Sequence, residues 1–504
     1  MTKKIILLAA VLASSASLAA GPKKYITYEQ FGAVGDGVHD DMPAIVAAHE
    51  AANKSGKPVK ATPGKCYFID SLALTAVIMT DTYWDGAEFI INDVGAVKPN
   101  SRVFFVKPSE KSYLAKGVES LRKGQRNLGI KLPVMSLVEV ANDDKRVFIR
   151  YGSNANKGSK QKEMLLVNTD GSIDRDTPVI WDYDNVTSVR VYPVDERPLT
   201  ISGGTITTIA NRTRGTSYYS RNLYICRSNV TLKNFTHYVK GELEYGSPYH
   251  GFINITNAAD VRVENCVVTG HKRYSKTGAL GKPVWMGTYD LSVSNSVRVS
   301  FRNCVQSNDI DDPEIWGIMG SNFCKALLYD GCRLSRFDAH QGCTGAVIRN
   351  SVISGISALG FGTLLLENLE VHDFRLVKIR GDYGSSWDGN IIVRNCTLKV
   401  PADAVNVDLF NGYNFRAHDF GYDCTLPHTI EINGLVIDDS EVKSEEYSGP
   451  FIFSRFDVNR KAEKLFPYPA PRKVIVKGLE IASGKELSVS LNKEMFKDTE
   501  IVIQ

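Results

Sequence analysis

The sequence predicts an all-β chain: a parallel β-helix (solenoid) with an N-terminal capping helix and an inserted β-rich subdomain. Three observations lead there. Glycines close short strand-like segments at near-even spacing, an Asn-centred phrase recurs along the second half, and a capped amphipathic helix precedes both. The glycines are clearest between Glu314 and Gly384, where WGIMG, FDAHQG, LGFG and KIRGDYG end on Gly320, Gly342, Gly362 and Gly384, in steps of 22, 20 and 22 residues. A fixed period in the twenties marks stacked repeats, each burying its apolar face on the last.

Side chains alternate along a strand, so counting back from each glycine sorts two faces. Met319, Gly317 and Ile315, then Gln341, Ala339 and Phe337, then Phe361, Leu359 and Ser357, then Tyr383, Gly381 and Ile379 form a mostly apolar face, predicted to lie inside. The outer face carries Glu314, Trp316 and Ile318; Arg336, Asp338 and His340; Ile356, Ala358 and Gly360; and Lys378, Arg380 and Asp382. Two charged coils thus flank one of small or apolar residues, which predicts a groove with reactive walls.

From the N-terminus, residues 1–20 read as a signal peptide: Lys3 and Lys4, an apolar run from Ile5 to Ala13, and a small-x-small site at Ser17-Leu18-Ala19. The run is too short for a permanent membrane anchor, and no Cys stands at the cleavage site. The expectation is a periplasmic or secreted protein with no integral membrane segment in its mature form. Loss of the leader takes the basic count from 60 to 58 against 56 acidic residues. That balance, without a long basic run, argues against nucleic acid as a partner.

Residues 28–53, YEQFGAVGDGVHDDMPAIVAAHEAAN, contain a tight turn at Gly35-Asp36-Gly37 and a helix capped by Asp40 or Asp41. Pro43 sits in its first turn, and Ala44, Ile45, Ala48 and Ala51 give it an apolar stripe. A β-solenoid needs such a cap, because its first coil otherwise exposes an edge and an apolar cross-section. FGAVGDGVHDD followed by a helix resembles the N-terminal cap of secreted right-handed parallel β-helix proteins. Pectate-lyase-like proteins, polygalacturonases and phage tailspikes that act on polysaccharides belong to that group. The resemblance implies a right-handed parallel β-helix and a polysaccharide partner. It does not imply a reaction type, because lyases, hydrolases, epimerases and plain binding proteins share the cap. Trimers occur in the group, but nothing in the sequence demands an oligomer.

Residues 21–106 are assigned to the cap and first coils, with strands in CYFIDSLALT, AEFIIND and SRVFFVKP. Residues 107–198 leave the pattern and are assigned to the inserted β-rich subdomain, a candidate groove wall. It opens on a basic, helix-like piece, KSYLAKGVESLRKGQ, whose Lys111, Lys116, Arg122 and Lys123, with Arg126 after them, either meet an anionic chain or form a solvated face. Residues 199–504 carry the main solenoid and C-terminal loops rich in aromatics. Asn234, Asn265, Asn303, Asn350, Asn368, Asn395 and Asn433 recur in a V-x-V-x-N-x-x-V type phrase and predict stacked amides in turns. Cys266, Cys304 and Cys396 each follow such an Asn, and Cys332 holds the matching place in YDGC. The nine cysteines therefore suggest an interior ladder of free thiols rather than disulfides or a metal site.

Two chemistries fit the charged coils. Parallel strands lie about 4.8 Å apart, which would place His340 and Asp382 in one register roughly 10 Å apart across Gly360, and Asp338 and Arg380 likewise across Ala358. β-Elimination from a uronic acid polysaccharide needs a cation on the carboxylate, a base for the C5 proton and an acid for the leaving oxygen. Arg380 and Lys378 suit the cation, His340 the base and Tyr383 the acid, although alternation points Tyr383 inward. Inverting hydrolysis needs two carboxyls about 6.5–9.5 Å apart, which Asp338 and Asp382 could supply. The polygalacturonase set of N-T-D, D-D, G-H-G and R-I-K does not occur in order, and VKIRGD only faintly resembles its last element. Arg336, Trp316, His250, Tyr249 and Trp387 are candidate substrate contacts. No cofactor is predicted. Asp309, Asp311 and Asp312 in SNDIDDPE offer hard oxygens to Ca2+, with a plain acidic turn as the alternative. The simplest competing readings are surface ion pairs of little energetic weight and a non-catalytic glycan-binding protein.

Overall fold

The structure, a computed structural model, describes residues 25–98, 100–287, 289–317, 319–413, 417–456 and 468–504. The leader-like residues 1–20 lie outside them, as does Ile318. Among the described residues the main sheet has 32 strands, and its ladders between successive coils are parallel. One ladder runs from Leu199–Ser202 through Val230–Lys233, Val261–Glu264 and Ser300–Arg302 to Met319–Asp330, Phe337–Arg349, Gly360–Glu367, Trp387–Lys399, Thr429–Asp438 and Lys473–Ile481. The chain is a right-handed parallel β-helix, and its inward side chains form one continuous apolar core from Ile26 to Phe496.

Met42–Ser55 is the one α-helix among the described residues, and it closes the first coils with Met42, Ala44, Ile45, Ala48, His49 and Ala52 buried. Ala52, rather than Ala51, completes the buried stripe. The N-cap residue is Asp41, but its carboxylate does not bond the helix. It takes the backbone N–H of Val34 at 2.6 Å and of Gly35 at 3.1 Å, tying down the turn before the helix. No described helix is long and apolar enough to cross a membrane.

The asparagine ladder forms. Asn234, Asn265, Asn303, Asn350, Asn368 and Asn395 all have φ between 48° and 55°, a conformation that Asn tolerates better than most L residues. Their amides pass hydrogen bonds from coil to coil: Asn303 to Asn265 at 3.1 Å and Asn368 to Asn350 at 3.0 Å. Asn433 does not join the left-handed row, which passes there to Gly434. All nine cysteines are free, and Cys266, Cys304, Cys332 and Cys396 are buried.

The segment after Val106 leaves the helix and forms a four-stranded antiparallel sheet of Tyr113–Ala115, Ser136–Val147, Ser159–Val167 and Ser188–Pro193. It has its own core of Leu121, Val138, Val140, Leu165, Tyr183 and Val191. The helix expected at KSYLAKGVESLRKGQ does not form. Tyr113–Ala115 pairs instead with Val191–Val189, and the residues after it run as turns. Those basic positions follow no apolar stripe, so nothing held them as a helix. A second cluster, Val147, Phe148, Phe323, Leu359, Phe361 and Tyr383, seats this sheet on the β-helix.

Candidate active site

The groove floor is set by a short ladder in which Asp338 pairs with Ser357, Ser357 with Lys378, and Lys378 with Asn411. Asp338 is thus in register with Lys378, not with Arg380 as even spacing predicted. The reason is that the coils are unequal. Cys343 pairs with Gly360, 17 residues on, and Gly360 with Trp387, 27 residues on. The shift inverts the faces of one coil: Ile356 and Ala358 are buried in the core, and Ser357 lines the cavity.

Above this floor is a cavity of about 830 Å³. Arg336, Asp338, His340, Lys378, Arg380 and Asp382 line it from the β-helix. The loop joining Ser136–Val147 to Ser159–Val167 supplies Arg150, Tyr151 and Asn154, and the hairpin of Tyr274–Thr277 and Pro283–Met286 supplies Lys276 and Trp285. Tyr218, Tyr289 and Tyr413 complete the wall.

The carboxylates are joined by a chain of charges. Arg380 Nη1 donates to Asp338 Oδ1 at 2.8 Å and its Nη2 to Asp382 Oδ2 at 2.9 Å, while Arg150 Nη2 reaches Asp382 Oδ2 at 2.7 Å. No sugar ring can lie between Asp338 and Asp382, because a guanidinium fills that space. Burial disfavours charge on Asp338, yet Arg380 and Arg336 hold its carboxyl below the usual carboxylate range. Asp382 behaves likewise under burial opposed by Arg380 and Arg150. Lys378 is pushed down by burial and by repulsion from Arg375, Arg380 and Arg336.

His340 faces the cavity with Nδ1 held 3.0 Å from Asn322 Oδ1, which fixes the proton there and leaves Nε2 as the acceptor. Burial, with Arg380 next, lowers its pKa from 6.5 to about 4, so the imidazole is neutral at ordinary pH. Tyr383 lies behind it rather than in the cavity. This residue is fully buried on the turn Gly381–Tyr383, and its hydroxyl stands 3.4 Å from His340 Nε2. The inward direction given by alternation therefore holds for Tyr383, whose hydroxyl contacts His340 instead of lining the cavity.

The other expected contacts divide. His250 sits behind the wall, edge-on to Tyr218 at 5.7 Å. Tyr249 is buried and does not line the cavity, donating to Asp93 at 3.2 Å and stacking on His271 at 5.2 Å. Trp387 is a core residue with no exposure, its Nε1 donating to the Gly362 carbonyl at 2.9 Å. The side chain of Trp316 lies outside the described residues. Asp309 and Asp312 accept the N–H groups of Asp311 and Glu314, and Asp311 pairs with His372 at 2.7 Å. No group of three potential metal ligands occurs among the described residues.

Arg150 was not legible in the sequence. It stands 232 positions before Asp382, its ion-pair partner, in a loop with no period. The only cue was the Arg-Tyr-Gly turn that ends the strand-like run KRVFIRYG. Phe148, two residues earlier, adopts φ 54° and packs edge-on against Phe323 and Tyr422. That sharp turn sends Arg150 over the groove.

No family model matches the chain. A capsule KL64-specific depolymerase of Klebsiella phage P510 is 27% identical over 122 residues, 20% of this chain and 12% of that protein. The match therefore spans only about an eighth of that relative's length. Among solved structures, the tailspike gp49 of Pseudomonas phage LKA1 superposes with a TM-score of 0.49 at 17% identity, over 90% of this chain and 81% of that one. The tailspike gp61 of Pseudomonas phage phi297 superposes with a TM-score of 0.52 at 15% identity, over 90% of this chain and 80% of that one, and shares the parallel β-helix fold.

Proposed function

We propose that this protein cleaves an anionic, uronate-containing polysaccharide by β-elimination in the cavity above Ser357 and Lys378. The observation that carries this reading is the balance of charge. Arg150, Lys276, Arg336, Lys378 and Arg380 line the cavity against two carboxylates, and both carboxylates are already held by arginines beside a neutral His340. A focused positive field attracts a polyanion, and the relation to a capsule depolymerase supports a polysaccharide as that polyanion.

In this mechanism Lys378 neutralises the uronate carboxylate and acidifies the C5 proton. His340 Nε2 gives up its 3.4 Å contact with the Tyr383 hydroxyl to take that proton, the C–H electron pair becomes the C4–C5 double bond, and the C4–O bond breaks. The departing oxygen receives a proton from a cavity tyrosine. Burial pushes Tyr218 and Tyr413 above the ordinary phenol pKa, so both keep their protons until one is needed. Hydrolysis by Asp338 and Asp382 would instead require one carboxyl held protonated, and both are held ionised.

Incubation with a panel of uronic acid polysaccharides tests this directly. The expected result is growth of the ultraviolet absorbance of the conjugated, unsaturated product. New reducing ends without that absorbance would indicate hydrolysis. Binding with no cleavage across a broad glycan panel would make the protein a lectin-like β-helix.

A further inference from the structure

The floor register does not stop at Lys378. Its next member, Asn411, opens a second cavity of about 400 Å³. Phe374, Phe451 and Leu491 give this cavity apolar walls, and Asp408, Asn411 and Arg455 give it polar groups. Asn411 lies one coil from Lys378, about 4.8 Å, comparable with the length of one pyranose residue, and Asp408, three residues back in register with Arg375, is tied to Asn411 by a side-chain hydrogen bond. The same extended glycan can therefore cross both.

The two cavities differ in charge. The first is strongly cationic. Among the described residues, the second carries one carboxylate, Asp408, which accepts a hydrogen bond from Asn411 Nδ2 at 2.9 Å, and one guanidinium, Arg455. Fixed carboxylate and amide groups beside aromatic carbons match the hydroxyls and C–H faces of an uncharged sugar. A uronate there would bring its carboxylate toward Asp408, and like charges disfavour each other.

Resting on the reading of the first cavity as a uronate site, we propose that the second cavity is a subsite for a neutral, hydroxyl-rich sugar, so that the substrate is a heteropolysaccharide alternating acidic and neutral residues. Such a glycan presents one uronate to Lys378 and one uncharged ring to Asp408.

The test uses the His340→Ala protein, which binds without turnover, and calorimetric titration with size-matched oligosaccharides. Hyaluronan hexasaccharide, which alternates, is expected to bind about tenfold more tightly than hexagalacturonate, which does not. The isosteric Asp408→Asn change should weaken the alternating ligand about tenfold, the usual scale for one charge-assisted hydrogen bond. It should leave disaccharide binding unchanged. Arg455→Ala, at an exposed position, is a second probe that does not endanger folding, and it should weaken the hexasaccharide alone. Equal affinity for the two hexasaccharides overturns the inference. So does hexasaccharide binding indifferent to both substitutions. If neutral dextran oligosaccharides bind in an Asp408-dependent way while both uronate ligands fail, the second subsite stands and the anionic reading of the first cavity falls. No binding of any ligand overturns both.

Discussion

At the scale of single residues, the site turns on how burial and charge set three protonation states. His340 is kept neutral by burial and by Arg380, so as a base it is competent above about pH 4. Its protonated form grows only as pH falls through that value. The acid limb of kcat/KM should therefore lie near pH 4 instead of near the ordinary histidine value of 6.5, as a pH–rate profile will show. Arg150 is the residue most exposed to test from outside the solenoid. Removing it leaves Asp382, among the described residues, paired with Arg380 and subtracts one cation from the cavity. Arg150→Ala should lower kcat/KM by roughly 10- to 100-fold, the range for loss of a charge-assisted contact, while thermal unfolding shifts little. Arg336, Asp338, His340 and Lys378 are legible because strand alternation sorts them, whereas Arg380 and Asp382 reach the cavity from the turn after Ile379. Tyr249 and Trp387 are buried where substrate contacts are expected, because an aromatic beside a polar phrase looks the same in sequence whether it stacks on a sugar or fills a core.

At the scale of elements, glycines and asparagines hold the coil geometry, and they explain both what could be read and what could not. The Asn phrase was legible because each copy needs the same left-handed turn. Asn303→Ala should cost about 1–2 kcal/mol, from one inter-coil amide bond and the loss of a residue tolerant of φ 51°. Chemical denaturation will measure it. The glycines differ from the fixed repeat in one respect, since they are not all equivalent points of the coil. Gly342 has φ 70°, and a Cβ there would lie 2.9 Å from the Phe148 ring. Its glycine thus answers the inserted sheet, not the period. Gly342→Ala should destabilise the protein by roughly 1–2 kcal/mol for the backbone alone. It should also reduce activity beyond that loss, because moving Phe148 moves Arg150. Normal turnover by the folded variant would separate Phe148 from the placement of the loop.

At the scale of the whole molecule, the cavity proposed to be catalytic lies where two separately cored bodies meet. The β-helix provides floor and base, and the inserted sheet provides a wall. Their junction contains a buried ion pair, Lys325 Nζ to Glu163 Oε2 at 2.6 Å, with both side chains at most 2% exposed. Breaking such a pair leaves one buried charge alone, so Lys325→Met should cost about 3–5 kcal/mol, whereas adding Glu163→Leu should restore much of it. Calorimetry of the single and double variants will show whether the pair sets stability or chiefly docking. The β-helix itself was readable because repetition amplifies weak signals across many coils. The junction was not, because it pairs residues more than 150 positions apart with no repeat to mark them. The central claim is that His340 removes a proton in an eliminative cleavage. The most direct measurement follows unsaturated product from a uronate polysaccharide with the wild-type and His340→Ala proteins. Absorbance should grow with the wild type, and its rate should fall by at least about 100-fold in the variant. Turnover left intact by His340→Ala would contradict it.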